Sequence, residues 1–168
     1  DTLMFRSPTC TGADKSAARE LAKIAGVDIE KHAMAMFEAG SNFSKKSIGE
    51  IFYTDFKTFN QGDTDFGVSQ ISAVSDKQLN SIRKSLSEYL EKVLADRNLS
   101  QVYVMLTNIL DQSTRLICYG ANSEEIARQA FPDKPILEDA NGHFQLLPGV
   151  VSRKKQVIPA LISAMEEQ

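Results

Sequence analysis

Apolar residues recur at helical spacing early in the chain. Ala17, Ala18, Leu21, Ile24 and Ala25 form one stripe, Thr11 is placed to cap its start, and Gly26 suits a left-handed C-terminal cap, which predicts a helix over 12–25. Asp28 can cap a second helix through about Ala39, with Gly40 ending it, so the two form an αα hairpin. The stretch 40–46, Gly-Ser-Asn-Phe-Ser-Lys-Lys, is mostly polar and reads as a linker. The period then changes. A short helix capped by Ser47 runs to Tyr53, followed by a strand at 56–59, a turn at 60–63 and a partner strand at 66–74. Ser75 caps a long helix carrying Leu79, Ile82, Leu86, Leu90, Val93 and Leu94 at helical spacing. The near-continuous apolar run 102–106 reads as a buried strand, and 115–119 returns after a turn at 111–113. A helix from Ser123 stops before Pro132, and short strands at 136–137 and 144–147 flank Asn141-Gly142. A last helix begins near Gln156, with Pro159 in its first turn, where the missing N–H does little harm. The expected fold is α/β, a mixed sheet of about five strands flanked by helices and preceded by a helical hairpin.

Composition narrows the picture. The 168 residues are 42% hydrophobic and 24% charged, the profile of a globular chain rather than a disordered or fibrous one. No apolar run approaches the roughly 20 residues of a membrane span. The net charge of −3 argues against a nucleic-acid binder. Cys10 and Cys118 lack C-x-x-C spacing and read as small buried residues in a reducing, cytoplasmic setting, with a disulfide between them as the alternative. His32, on a helix, and His143, in the turn-like stretch Ala140-Asn141-Gly142-His143, have no partners at metal-ligand spacing and read as surface residues. The chain opens Asp1-Thr2-Leu3-Met4-Phe5, without an initiator Met or a signal peptide, and reads as the continuation of a longer protein.

One charge cluster stands out. No acidic residue lies between Asp139 and Glu166, and the only formal charges in that interval are Arg153, Lys154 and Lys155. Cations at the start of a helix oppose its dipole by about 0.3–1 kcal/mol each. The placement makes chemical sense where an anion binds, because backbone N–H groups, dipole and cations then converge on it. A solvated basic turn is the simpler reading of three basic residues. The flanking apolar pairs Val150-Val151 and Val157-Ile158 instead set the cluster at a strand end against a core.

Ser152-Arg153-Lys154-Lys155-Gln156, framed by Leu147-Pro148-Gly149-Val150-Val151 and Val157-Ile158-Pro159, resembles the C-terminal signature of the family II inorganic pyrophosphatases, manganese-dependent enzymes of the DHH phosphoesterase superfamily. The opening stretch 1–11, the stretch 20–28, Ala39-Gly40, Ser44-Lys45-Lys46 and 107–110 are similar to that family too, so the resemblance spans the chain. It implies hydrolysis of pyrophosphate to two phosphates. It also implies that Asp1 is a ligand of the metal centre, which holds manganese, with magnesium or cobalt as substitutes. Lys57, in Asp55-Phe56-Lys57-Thr58-Phe59, and Arg153 and Lys154 are implied as the catalytic residues that bind substrate phosphate. Lys155 is a nearby positive charge without an assigned contact.

The Asp-His-His motif that names the superfamily is not in these residues. On this resemblance 1–39 is the helical tail of a DHH catalytic domain, 40–46 a hinge, and 47–168 a substrate-binding domain of the second DHH-associated type. Such a chain, parted from its N-terminal DHH partner domain, is expected to be inactive alone. The other associated domain type uses a Gly-rich segment ending in His for RNA, which Gly142-His143 does not supply. The apolar hairpin residues Leu21, Ile24, Met34, Met36 and Phe37 then need cover from the partner domain, the α/β domain or a second copy in a homodimer. The alternative functions are an exopolyphosphatase-type domain and a non-catalytic polyanion-binding module.

Overall fold

The computed structural model describes residues 2–167. Asp1, the expected metal ligand, lies outside the described residues. Helix α1 (Gly12–Ala25) starts at a capping box between Thr11 and Asp14 and stops at Gly26, whose φ of 66° is left-handed. Helix α2 (Ile29–Gly40) is capped by Asp28 and runs through Gly40, the residue expected to end it; Ser41 caps it instead. Neither helix has a fully buried residue. Leu21, Ile24 and Met36 are 64%, 83% and 60% exposed. The following segment is anchored at two points. Ser41 is buried and accepts a hydrogen bond from Gln78 Nε2 at 3.0 Å, and Phe43 packs on the core.

After α3 (Ile48–Tyr53) the chain forms β1 (Phe56–Gln61), β2 (Thr64–Ala73), α4 (Asp76–Arg97), β3 (Gln101–Asn108), β4 (Ser113–Gly120), α5 (Ser123–Ala130), β5 (Ile136–Asp139) and β6 (Gly142–Pro148). It closes with a π-helical turn (Arg153–Val157) that leads into α6 (Ile158–Glu166). The sheet has six strands, in the order β1-β2-β3-β4-β6-β5, rather than about five, because both short segments around Asn141 complete a ladder. His143 consequently lies on β6 rather than in a turn, exposed, with its Nδ1 2.9 Å from Glu124 Oε1. Only β2 and β3 are parallel, joined by the α4 crossover.

Strand alternation feeds two cores. Ile71, Val104 and Leu106 meet Phe52, Leu79, Leu86 and Leu90 on the α3/α4 face. Phe66, Val68, Tyr103, Met105 and Leu116 meet Ile126, Val157 and Leu161 on the α5/α6 face. Covered on both sides, β3 is buried at all eight positions, as its unbroken apolar run predicts.

A polar cluster ties β6 to α4. Arg83, 1% exposed, pairs with Asp139, donates to the Gly142 carbonyl at 3.1 Å and lies over the Phe144 ring at 4.9 Å. Arg115 approaches the same ring at 5.7 Å and pairs with Asp76 at 2.6 Å. Partial burial alone would raise the Asp76 carboxyl, but hydrogen bonds from Arg115 and Asn108 and the Arg115 charge outweigh it and hold the group below its ordinary value. A lowered folded value adds stability above the ordinary aspartate pKa of about 3.9, which is lost as pH falls through the folded value. Asp76→Asn is therefore expected to reduce stability at neutral pH by under about 1 kcal/mol, given the exposure of this carboxylate. Urea midpoints of the two proteins should converge toward pH 2, and a constant gap across the pH range would contradict the assignment.

Candidate functional site

The chain leaves β6 at Pro148 and crosses the sheet to the basic turn, and a polar ladder on the α5/α6 face holds the crossing. Gln70 on β2 donates to the Val151 carbonyl at 3.0 Å and to Thr107 Oγ1 at 3.3 Å. The hydroxyls of Thr107 on β3 and Thr114 on β4 are 2.9 Å apart, and Thr114 donates to the Val150 carbonyl at 2.6 Å. Gln156 closes the loop on itself. Its Oε1 accepts from the Val151 and Ser152 amides at 3.0 and 2.9 Å, and its Nε2 donates to the Gly149 carbonyl at 2.9 Å. The Ser152 hydroxyl caps the turn by accepting from the Lys155 amide at 3.2 Å. The final helix therefore begins three residues before the expected Gln156, and all three cations lie within its π-helical first turn. Such turns are rare and recur at functional sites.

Arg153 turns inward to β1 and β2. Its Nη1 donates to the Asp55 carbonyl at 2.6 Å and to the Val68 carbonyl at 3.3 Å, and its Nη2 pairs with Asp55 Oδ1 at 2.7 Å. The side chain is 11% exposed. Val68 is the ladder partner of Lys57, so Lys57 stands on the α5/α6 face beside the strand position that Arg153 grips. Lys57 and Lys154 are exposed, and among the described residues their amines meet no hydrogen-bond or ion-pair partner. Lys155 reaches the other way and donates to the Pro8 carbonyl at 2.9 Å, which lays the N-terminal segment against the turn. The fold thus sets Arg153 against Asp55 and Val68, level with Lys57 on the edge strand β1 and midway along β2, and Lys154 follows it in the basic turn.

The residues missing from the sequence reading are Asp55, Gln70, Thr107, Thr114 and Gln156. Gln70, Thr107 and Thr114 carried a signal. They are polar residues at inward register positions, where alternation calls for apolar ones. Asp55 lies two residues before Lys57, yet nothing local marks it as the partner of a residue 98 positions away.

The described residues offer little other chemistry. Cys10 and Cys118 are free thiols, and burial, with a smaller contribution from Glu124, pushes the Cys118 thiol up and keeps it protonated. Among the described residues no three His, Cys, Asp or Glu side chains come together in a way that could hold a metal ion. These residues alone do not fit a metal centre, and no step is derived through one. No described helix is long and apolar enough to cross a membrane.

The DHHA2 domain family matches residues 34–164. A probable manganese-dependent inorganic pyrophosphatase of Clostridium acetobutylicum is 39% identical over 166 residues, covering 99% of this chain and 52% of that protein. A manganese-dependent inorganic pyrophosphatase of Bacillus subtilis is 36% identical over 167 residues with the same coverage. A cobalt-dependent inorganic pyrophosphatase of Clostridium perfringens is 39% identical, over 96% of this chain and 28% of that protein. The crystal structure of a Methanococcus jannaschii putative family II inorganic pyrophosphatase superposes with a TM-score of 0.83 at 31% identity, over 99% of this chain and 52% of that one. The chain spans about half the length of the first two curated relatives. These similarities bear out the resemblance carried by the basic signature. Since the family match runs from within α2, through the whole sheet and the basic turn, into α6, the chain belongs to the DHHA2 domain family.

Proposed function

We propose that this chain is the phosphate-holding part of a manganese-dependent inorganic pyrophosphatase, which hydrolyses pyrophosphate to two phosphates. The observation that carries the reading is the docking of Arg153 of the basic turn beside Lys57 at mid-β2, with the Lys57 and the adjacent Lys154 amines meeting no partner among the described residues. Charge neutralisation and positioning are what phosphoryl transfer asks of a protein. A unit charge pair 4 Å apart at an effective dielectric near 20 is worth about 4 kcal/mol before desolvation costs. Lys57 and Lys154 supply mobile point charges, and Arg153 supplies a planar fork that fixes orientation.

The metal is manganese on this reading, with magnesium or cobalt as alternatives, and it is held by groups beyond the described residues. Asp1 is the one candidate ligand in this chain. The partner that covers the exposed hairpin residues Leu21, Ile24 and Met36 is, on this reading, an N-terminal DHH domain, with a second copy of this chain as the alternative. Segment 40–46 is the hinge between them on this reading, and the setting is the cytoplasm.

Calorimetric titration of the 168-residue chain with inorganic pyrophosphate and with polyphosphates of increasing length tests the reading. Tight pyrophosphate binding without gain from chain length is expected, with no manganese-dependent phosphate release. Affinity rising steeply with polymer length would favour a polyanion-binding or exopolyphosphatase-type domain. Clear turnover by the pure chain would overturn the placement of the metal centre outside these residues.

A further inference from the structure

Asp55 occupies the joint between α3 and β1, and its backbone is fixed there. The Asp55 carbonyl accepts from the Gln70 amide at 3.0 Å as well as from Arg153 Nη1 at 2.6 Å. The carboxylate Oδ1 accepts from Arg153 Nη2 at 2.7 Å, and the second Nη1 hydrogen goes to the Val68 carbonyl at 3.3 Å. A guanidinium has five N–H donors. Three contacts engage it, two to Asp55 just before β1 and one to Val68 of β2. The remaining two, Nε–H and the second Nη2–H, lie on one edge of the plane, and no described residue takes them. Two parallel N–H groups on one edge match two oxygens of a phosphate.

We infer that Asp55 is a positioning residue: it holds the Arg153 guanidinium in place so that the open edge is preset for phosphate. This rests on the reading of the basic turn as a pyrophosphate site. A long, rotamer-rich arginine loses much conformational freedom when it orders on a ligand, and Asp55 takes that loss at folding instead of at binding. Its own negative charge opposes the ligand only weakly, because the carboxylate is 49% exposed and screened by water and salt. The geometric effect outweighs the repulsion.

Calorimetric titration of the full chain with inorganic pyrophosphate separates the possibilities. Asp55→Ala is expected to weaken binding by about tenfold, the scale of one charge-assisted hydrogen bond. Asp55→Asn keeps an acceptor oxygen and should lose only about threefold, since neutral bonds are about half as strong. In an Arg153→Ala background the Asp55→Ala change should have no further effect, an outcome that a merely structural role would not produce. Unchanged or tighter binding by Asp55→Ala would make Asp55 a bystander or a competitor and overturn the inference. If Asp55→Ala does not fold, Asp55→Asn carries the test by the same rule: weaker binding supports the inference, and equal or tighter binding overturns it. If neither Arg153→Ala nor Lys154→Ala changes pyrophosphate affinity, the site itself is wrong, and the role of Asp55 falls with it.

Discussion

Phe52→Ala is expected to lower the unfolding free energy by about 3–5 kcal/mol, the cost of removing a large buried aromatic side chain and leaving a cavity. Phe52 is fully buried on the α3/α4 face. Its ring centroid is 5.0 Å from that of Tyr53, 4.9 Å from that of Phe56 and 6.0 Å from that of Tyr89. Such aromatic pairs add about 0.5–1.5 kcal/mol each beyond area burial. The backbone at this position is tied in as well, because the Ser69 hydroxyl donates to the Phe52 carbonyl at 2.7 Å. A domain with about 5–15 kcal/mol in total would lose a large share of its stability. The site is affected too, since Asp55 stands between Tyr53 and Phe56, both held by this ring. Urea unfolding followed by circular dichroism is the measurement, as the chain has no Trp. A loss under about 1 kcal/mol at unchanged m-value would mean that the cluster repacks around the gap.

The second large effect belongs to ligand binding. The double substitution Arg153→Ala, Lys154→Ala is expected to weaken pyrophosphate binding by about 3 kcal/mol or more, since each hydrogen bond to a charged group is worth about 1.5–3 kcal/mol. In affinity that is about 100-fold or more. The two residues play different parts, and the single variants separate them. Lys154 is exposed and its amine meets no partner among the described residues, so Lys154→Ala should weaken binding while stability stays within about 0.5 kcal/mol. Arg153 also docks the π-helical turn onto β1 and β2, so Arg153→Ala should lower both affinity and thermal stability. The double variant retaining affinity within threefold of the parent chain would remove the basic turn from the site.

Much of the architecture was legible in the chain because the terms that decide it are local. The Thr11–Asp14 and Ser47–Glu50 capping boxes, the apolar stripe from Leu79 to Val93 and the unbroken run around Val104 act over a few residues. The element order follows from them, and the helical hairpin lies where its pattern set it. The differences arose where pairing partners are distant. The short strand expected at 136–137 runs on to Asp139, and with one partly buried position its alternation does not mark where it ends. It exists because β6 offers it a ladder and Arg83 of α4 anchors Asp139. Arg83 itself sits on the apolar face of α4, one residue after Ile82, and no helix periodicity predicts a nearly fully buried guanidinium stacked on Phe144.

The sequence by itself determined the layered α/β plan, the hairpin ahead of it and the presence of an isolated basic cluster before the last helix. It did so through capping, periodicity and local charge, which need no knowledge of the rest of the chain. Tertiary structure alone decided what each of the three cations faces. Arg153 turns inward to Asp55, Lys154 stays in water, and Lys155 reaches back to the Pro8 carbonyl. The physical reason is that the π-helical turn points consecutive side chains in different directions, and the groups they meet come from segments 98 and 147 residues away, whose arrival depends on the packing of the whole sheet.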